Sequence, residues 1–302
     1  MCYYQYIGLD NKSYKKALKE DREAKSRSET YANKRDNRRS VDIWWQNEDN
    51  AARKKLTTLA NSSLYFSDPE DFNDPSEVQL RYEINDETGF RQEIQKAIGL
   101  FAPPDRFPLN AVINRFKNHT TGSLRSRLLN THFPEGSSAR ICFEAEESLG
   151  ISCLSKKRDD FLMWSHYASG HTGFCVGLAF PKNLRHDYSL EEVKYKCRMP
   201  APIKYQGTGF DIKRLYKQVS IKHNDWKYEN EFRVISTSRK DQEVGTKISE
   251  IILGSRCMLA TVLKRHLSEA KVDLDSINLF YVSKLNQDYS LNLSEITWED
   301  VT

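Results

Sequence analysis

The chain has 302 residues, 38% of them hydrophobic, with 14 Phe, 15 Tyr and 5 Trp and a mean hydropathy of −0.70. Enough large apolar side chains for one large core or two modest ones, beneath a polar surface, exclude a disordered chain. The net charge of +4 is mild, and with neither a secretory leader in "MCYYQYIGLDNK" nor an apolar run of membrane-spanning length, the expectation is a cytoplasmic protein with no membrane partner.

In chain order, "CYYQYI" at the start reads as a short strand. Residues 11–39 follow with helix-forming composition and no Pro or Gly, but only Tyr14 and Leu18 begin an apolar stripe. Residues 12–39 hold eleven Lys or Arg against five Asp or Glu. Such a segment is either a solvated helix face or a surface for phosphate. Residues 41–61 predict a helix burying Ile43, Trp44, Ala51, Leu56 and Leu59. "SLYFS" predicts a strand, and "DPEDFNDPSE" a turn-rich loop, because each Pro restrains its predecessor. Helices are expected over 87–99 and 109–130, and "ARICFEAE" with "LGISCLS" reads as a strand pair.

Asp159 or Asp160 is placed to cap a helix over 161–168 that ends at "SGHTG". "GFCVGLAF" is a central strand buried on both faces, with Gly173 and Gly177 allowing close backbone approach. "EVKYKC" and "APIKYQ" are extended, 211–224 is helical in pattern, and "EFRVIST" and "ISEIILG" are strands. A helix over 256–269 and the strand "INLFYVS" complete a mixed α+β domain over 1–302 with a helical, basic insertion at 11–61.

Three segments hold candidate chemistry. In "DDFLMWSHYASGHTGFCVGLAF", Trp164 and Tyr167 share one side of a helix, His166 points elsewhere, and His171 sits in a glycine-flanked turn. They form either a pocket wall or core aromatics, with His166 paired locally and His171 on a surface loop. His166 and His171 are five apart without a third ligand, so no metal is expected. The six cysteines, at 2, 142, 153, 175, 197 and 257, have no short pair spacing, which fits a reducing compartment. Cys153 and Cys175 lie near the histidines in sequence, yet nothing supplies the geometry of a Cys–His hydrolase.

In "WKYENEFRVI", Glu229, Glu231 and Arg233 fall on one face if the chain is already a strand, forming either an ion-paired rim or the edge of an active site. Paired carboxylates there suit N-glycosidic bond cleavage, where positive charge develops at a sugar carbon. In "LYFSDPEDFNDPSE", Ser67 ends a strand that holds Tyr65, while Asn73 and Asp74 stiffen a Pro-bounded turn. No P-loop, dinucleotide-binding fingerprint or nucleophile elbow is present.

Together these words, "NDP", "MWSHY…H.GF" and "W.YE.E.R", make the chain resemble the domain of unknown function 2971 family, mostly bacterial, over residues 1–10 and 62–260. More remotely it resembles the ADP-ribosyltransferase fold. That second resemblance implies a mixed, split and curved β-sheet gripping NAD as substrate, with no metal. On it, Glu231, Glu229, Tyr65 and His166 are the implied catalytic residues. Tyr4, Tyr6, Ser67, Asn73, Asp74, Trp164, Tyr167, His171 and Arg233 would bind the cofactor. It also implies a toxin or anti-phage effector modifying nucleic acid or protein, the acceptor held by the basic region 12–39. The first strand lacks the usual histidine or arginine. A non-catalytic ligand- or partner-sensing domain, and a nucleic-acid-directed enzyme that does not use NAD, stand as alternatives.

Overall fold

The computed structural model describes residues 2–28, 40–74, 76–78, 80, 82–84, 86–99, 138–205, 212–285 and 290–301. The chain runs from β1 (Cys2–Ile7) through helices α1 (Asn11–Ser28), α2 (Ser40–Gln46) and α3 (Ala51–Ala60) to β2 (Ser63–Phe66). Then come β3 (Tyr82–Ile84), α4 (Glu87–Gly99), α5 (Ser138–Glu147), β4 (Gly150–Ser155), α6 (Phe161–Tyr167) and β5 (Phe174–Ala179). Strands β6 (Tyr188–Glu192), β7 (Lys194–Lys196) and β8 (Ile203–Tyr205), helix α7 (Ile212–Gln218), and strands β9 (Ile221–His223) and β10 (Glu231–Ser236) follow. The last elements are β11 (Lys240–Glu243), β12 (Lys247–Leu253), α8 (Ala260–Glu269), β13 (Asn278–Leu285) and β14 (Leu291–Ile296).

Eight strands make one sheet in the order β14-β13-β12-β5-β1-β4-β10-β6. Of its pairings only β12 with β13 is parallel. The expected split, curved sheet of the ADP-ribosyltransferase type is therefore corrected: the sheet is mixed and open, neither closed nor strongly curled, because β12, β13 and β14 extend it beyond β5.

Alternation along β1 and β5 feeds two layers of core. Tyr3, Ile7, Phe174, Val176 and Leu178 pack on one face with α1–α3 and α8, where Trp45 lies between Phe174 and His266. Tyr4, Tyr6 and Cys175 pack on the other with Met163 and Trp164 of α6. Asp160 starts α6, its carboxylate accepting the N–H groups of Leu162 and Met163 at 3.0 and 3.2 Å. Gly173 lets the turn after α6 approach β1 closely; a Cβ there would meet the Ile7 carbonyl oxygen at 2.1 Å.

Several elements differ from the sequence reading. "ARICFEAE" is helix α5, not a strand; its Ala, Arg, Cys and Glu carry no strong β preference and Ile141 is exposed. The single helix over 41–61 is two, divided where the Asn50 side chain accepts the N–H groups of Ala52 and Arg53. The helix over 211–224 stops at Gln218, because Ile221–His223 pairs with Lys194–Lys196 in a parallel ribbon. Polar β11 gave no apolar signal and the short Leu291–Ile296 segment of β14 was passed over; they pair with β2 and β13. The helix expected over 109–130 lies outside the described residues.

Candidate active site

The site is built where β1 and β4 meet at a single register pair, Tyr4 with Ser155. Around it lies a cavity of about 320 Å³. Its walls come from β1, from Ile151–Ser155, from the loop 67–77 and from the approach to β10. Loop 67–77 is held by its own side chains. Asp68 caps the turn Pro69–Asp71 and pairs with Arg239, while Asp74 accepts from the backbone and hydroxyl of Ser76 and from Trp226 Nε1 at 2.8, 2.6 and 3.0 Å. Burial works against the Asp74 carboxylate, but the Ser76 and Trp226 hydrogen bonds and the nearby Lys222 charge hold its pKa below the usual carboxylate value.

The floor is a five-charge cluster. Lys222 Nζ lies 2.6 Å from Glu229 Oε2, 3.1 Å from Glu231 Oε2 and 3.3 Å from Glu77 Oε1. Arg233 donates from Nε to Glu231 Oε1 at 2.8 Å and from its terminal nitrogens to Glu77 and the Val219 carbonyl. All five side chains are buried. Desolvation opposes each charge, and the ion pairs offset it. For Lys222 the neighbouring Glu231 and Glu229 win against burial and raise its pKa. For Glu231 burial wins: its carboxyl is pushed up to about 7, with Lys222 and Cys153 opposing and Glu229 reinforcing. Burial thus favours the protonated form of Glu231 more than its ion pairs oppose it.

Glu229 and Glu231 reach this cluster by a route different from the expected strand alternation. Glu229 ends the turn Asn224–Glu229, Asn230 takes left-handed dihedrals (φ 45°, ψ 54°), and the strand begins only at Glu231. The short polar side chain of Asn is among the few that tolerate this conformation. Tyr167 O–H donates to Glu229 Oε1 at 2.5 Å, and the Glu231 N–H donates to Tyr195 Oη at 2.8 Å.

Of the residues singled out in the sequence, Glu231, Glu229, Tyr65, Ser67, Asn73 and Asp74 line the cavity, together with Tyr4, Tyr6 and Tyr167. Tyr65 is exposed at the mouth. Arg233 is fully buried and supports the floor from behind. Trp164 is a core residue donating to the Arg158 carbonyl at 3.0 Å. His166 is exposed, its ring 6.1 Å from that of Tyr228. His171 stacks on Trp164 at 5.7 Å. Neither histidine is a cavity wall.

Sequence reasoning passed over Lys222, Glu77 and Trp226. Lys222 fell inside a helical pattern, and its alternation with Ile221 was the available strand signal. Cys153 opens to the cavity, but burial within the recess and the Glu231 charge hold its thiol well above the ordinary range. Among the described residues no group of three or more His, Cys, Asp or Glu is placed to hold a metal ion. The space among the three glutamates is taken by the Lys222 ammonium. No described helix is long and apolar enough to cross a membrane.

Residues 163–234 match the family described as protein of unknown function (DUF2971), from α6 to the middle of β10. The match takes in Tyr167, Lys222, Glu229, Glu231 and Arg233 but not Tyr4, Tyr65, Ser67, Asn73 or Asp74, so the resemblance read over 1–10 and 62–260 is supported over this shorter span. No curated protein and no solved structure gives a significant match to the chain.

Proposed function

We propose that this chain is a small-molecule-binding domain whose cavity takes an uncharged or cationic ring-bearing polyol of nucleoside size. The observation that carries the reading is the composition of the walls. On the walls Asp71, Asp74, Glu77, Glu229 and Glu231 stand against Lys55 and Lys222, with Arg233 paired to Glu77 and Glu231 from behind, so acid still outnumbers base, and Phe72, Trp226 and the tyrosines supply ring surfaces. Carboxylates accept ligand hydroxyls, and aromatic faces take a ring or a delocalised cation. Excess negative charge works against a phosphate inside the cavity. The volume is at the lower end of the ~300–1,000 Å³ typical of small-molecule sites.

Calorimetric titration with adenosine and with nicotinamide riboside tests this. Binding by either, weakened at least tenfold in Tyr65→Ala and Glu229→Gln, supports the reading. No binding by either, or binding that both variants leave unchanged, overturns it.

A catalytic use of the same site is the second reading, favoured by Glu231, a carboxyl pushed up to about 7 at the cavity floor. NAD would present its cationic nicotinamide riboside end to the acidic walls, and Glu231 would stabilise charge developing at the ribose carbon. A nucleic-acid or protein acceptor at 12–39 belongs to this reading. Nicotinamide release from NAD that vanishes in Glu231→Gln supports it. Binding without release leaves the domain a ligand sensor.

A further inference from the structure

Behind the wall formed by Asp74, Glu77 and Lys222, a second hollow leads into a recess of about 570 Å³ between the β7–β8 connection and α7. Its chemistry is the reverse of the first. Lys196, Arg198, Arg214 and Lys217 line it, with no acidic residue and no aromatic ring. By contrast, Lys204 is paired with Glu83 at 3.8 Å and Lys222 with its glutamates. The four cations of the recess form no ion pair with a described residue.

A basic face alone is commonly just solvated. What distinguishes this one is Gln218, which lines both the recess and the adjoining hollow and is 5% exposed. Its Nε2 donates to the Ala201 carbonyl, while its Oε1 is buried with no partner. A buried acceptor without a donor is costly and calls for a ligand that supplies one. The four cations call for an anion, and arginine for one it can grip with two N–H groups.

We propose that this recess is a second binding site, for a small phosphate ester that also carries a hydroxyl: a sugar phosphate or a mononucleotide. The phosphate sits among Arg198, Arg214, Lys196 and Lys217, and the Gln218 amide, turned outward on binding, accepts a ligand hydroxyl at Oε1. A single-stranded nucleic acid is the less suited occupant, because such strands are usually held by stacking on aromatic rings and none lines the recess.

Calorimetric titration of the full chain with ribose 5-phosphate and with adenosine 5′-monophosphate tests the proposal. Ribose, sulfate and a twelve-nucleotide single-stranded RNA are the comparison ligands. The expected result is one-to-one binding of a phosphate ester in preference to ribose and sulfate. Arg198→Ala and Lys217→Ala, both at exposed positions, should each weaken it roughly tenfold, about 1.4 kcal/mol, and Tyr65→Ala should leave it unchanged. Equal binding of sulfate, unaltered affinity in the Arg198→Ala, Lys217→Ala double variant, or tight RNA binding without affinity for either monoester overturns it. The Tyr65→Ala arm separates this site from the acidic cavity, so either assignment can fail without the other.

Discussion

Glu231 carries two duties that pull against each other. It is a partner of Lys222 and Arg233, and it is a desolvated carboxyl whose affinity for a proton is raised to about 7 from an ordinary 4.5. Between those values the folded chain binds more protons at this position than the unfolded chain. Its contribution to stability is therefore fully present below about pH 4.5 and is lost as pH rises through about 7, a change on the order of 3 kcal/mol at about 1.4 kcal/mol per unit. Glu231→Gln keeps the shape without the titration. Urea unfolding across this window should show the variant's stability relative to the parent rising with pH; a constant difference would refute the assigned titration.

Lys222→Met is the complementary change. It leaves three buried carboxylates with Arg233 as their cation and should cost about 3–5 kcal/mol near neutral pH. Because protons can replace the lost ammonium, the cost should shrink at acidic pH. A pH-independent cost would mean that packing of the lysine stem, rather than its charge, is what matters.

At the scale of elements, one left-handed residue sets the geometry of the site. Asn230 turns the chain from Glu229 into β10, and its carbonyl accepts the Lys156 N–H at 3.0 Å, tying the turn to the end of β4. Glycine suits the same dihedrals, so Asn230→Gly should fold with nearly unchanged midpoint. Asn230→Val should cost about 1–3 kcal/mol and weaken any ligand that contacts Glu229, a loss read by denaturation and titration together. If valine is as well tolerated as glycine, the turn does not position the acids.

The same turn shows what the sequence made legible. "ENEFR" announced two acids and an arginine on one side, and they are together, but adjacency came from a turn that period-two counting does not see. The apolar run of β5 needed no partner to be recognised, whereas "KDQE" of β11 is a strand because the edge of β2 supplies its hydrogen bonds. Lys222 and Glu77 were hidden for a related reason. A buried ion has no local signature, since its burial depends on partners up to 156 positions away, the separation of Glu77 from Arg233. Loop 67–77 was legible because Asp68 and Asp74 act on their immediate neighbours.

For the whole molecule, the question is whether helices α1–α3 are an appendage or part of the structure that holds the site. Tyr14, Trp45 and Leu56 are fully buried in the same core as Phe174 and Val176, the strand residues whose opposite face adjoins the layer beneath β1. Tyr14 Oη accepts the Met258 N–H at 3.1 Å, and Arg265 pairs with Asp42 at 3.0 Å, so both α1 and α2 are fastened to the region around α8. Removing such a segment would uncover a large apolar face of the central sheet, which a domain of this kind does not tolerate. Trp45→Ala probes this without deletion: it should cost about 3–5 kcal/mol, the range for a large aromatic lost from a packed core. Far-ultraviolet circular dichroism and tryptophan fluorescence should still report a single coincident unfolding transition. Two transitions, with helical signal lost first and the sheet melting at its unaltered midpoint, would make 11–61 a separable unit and free its basic surface to be studied as an independent module.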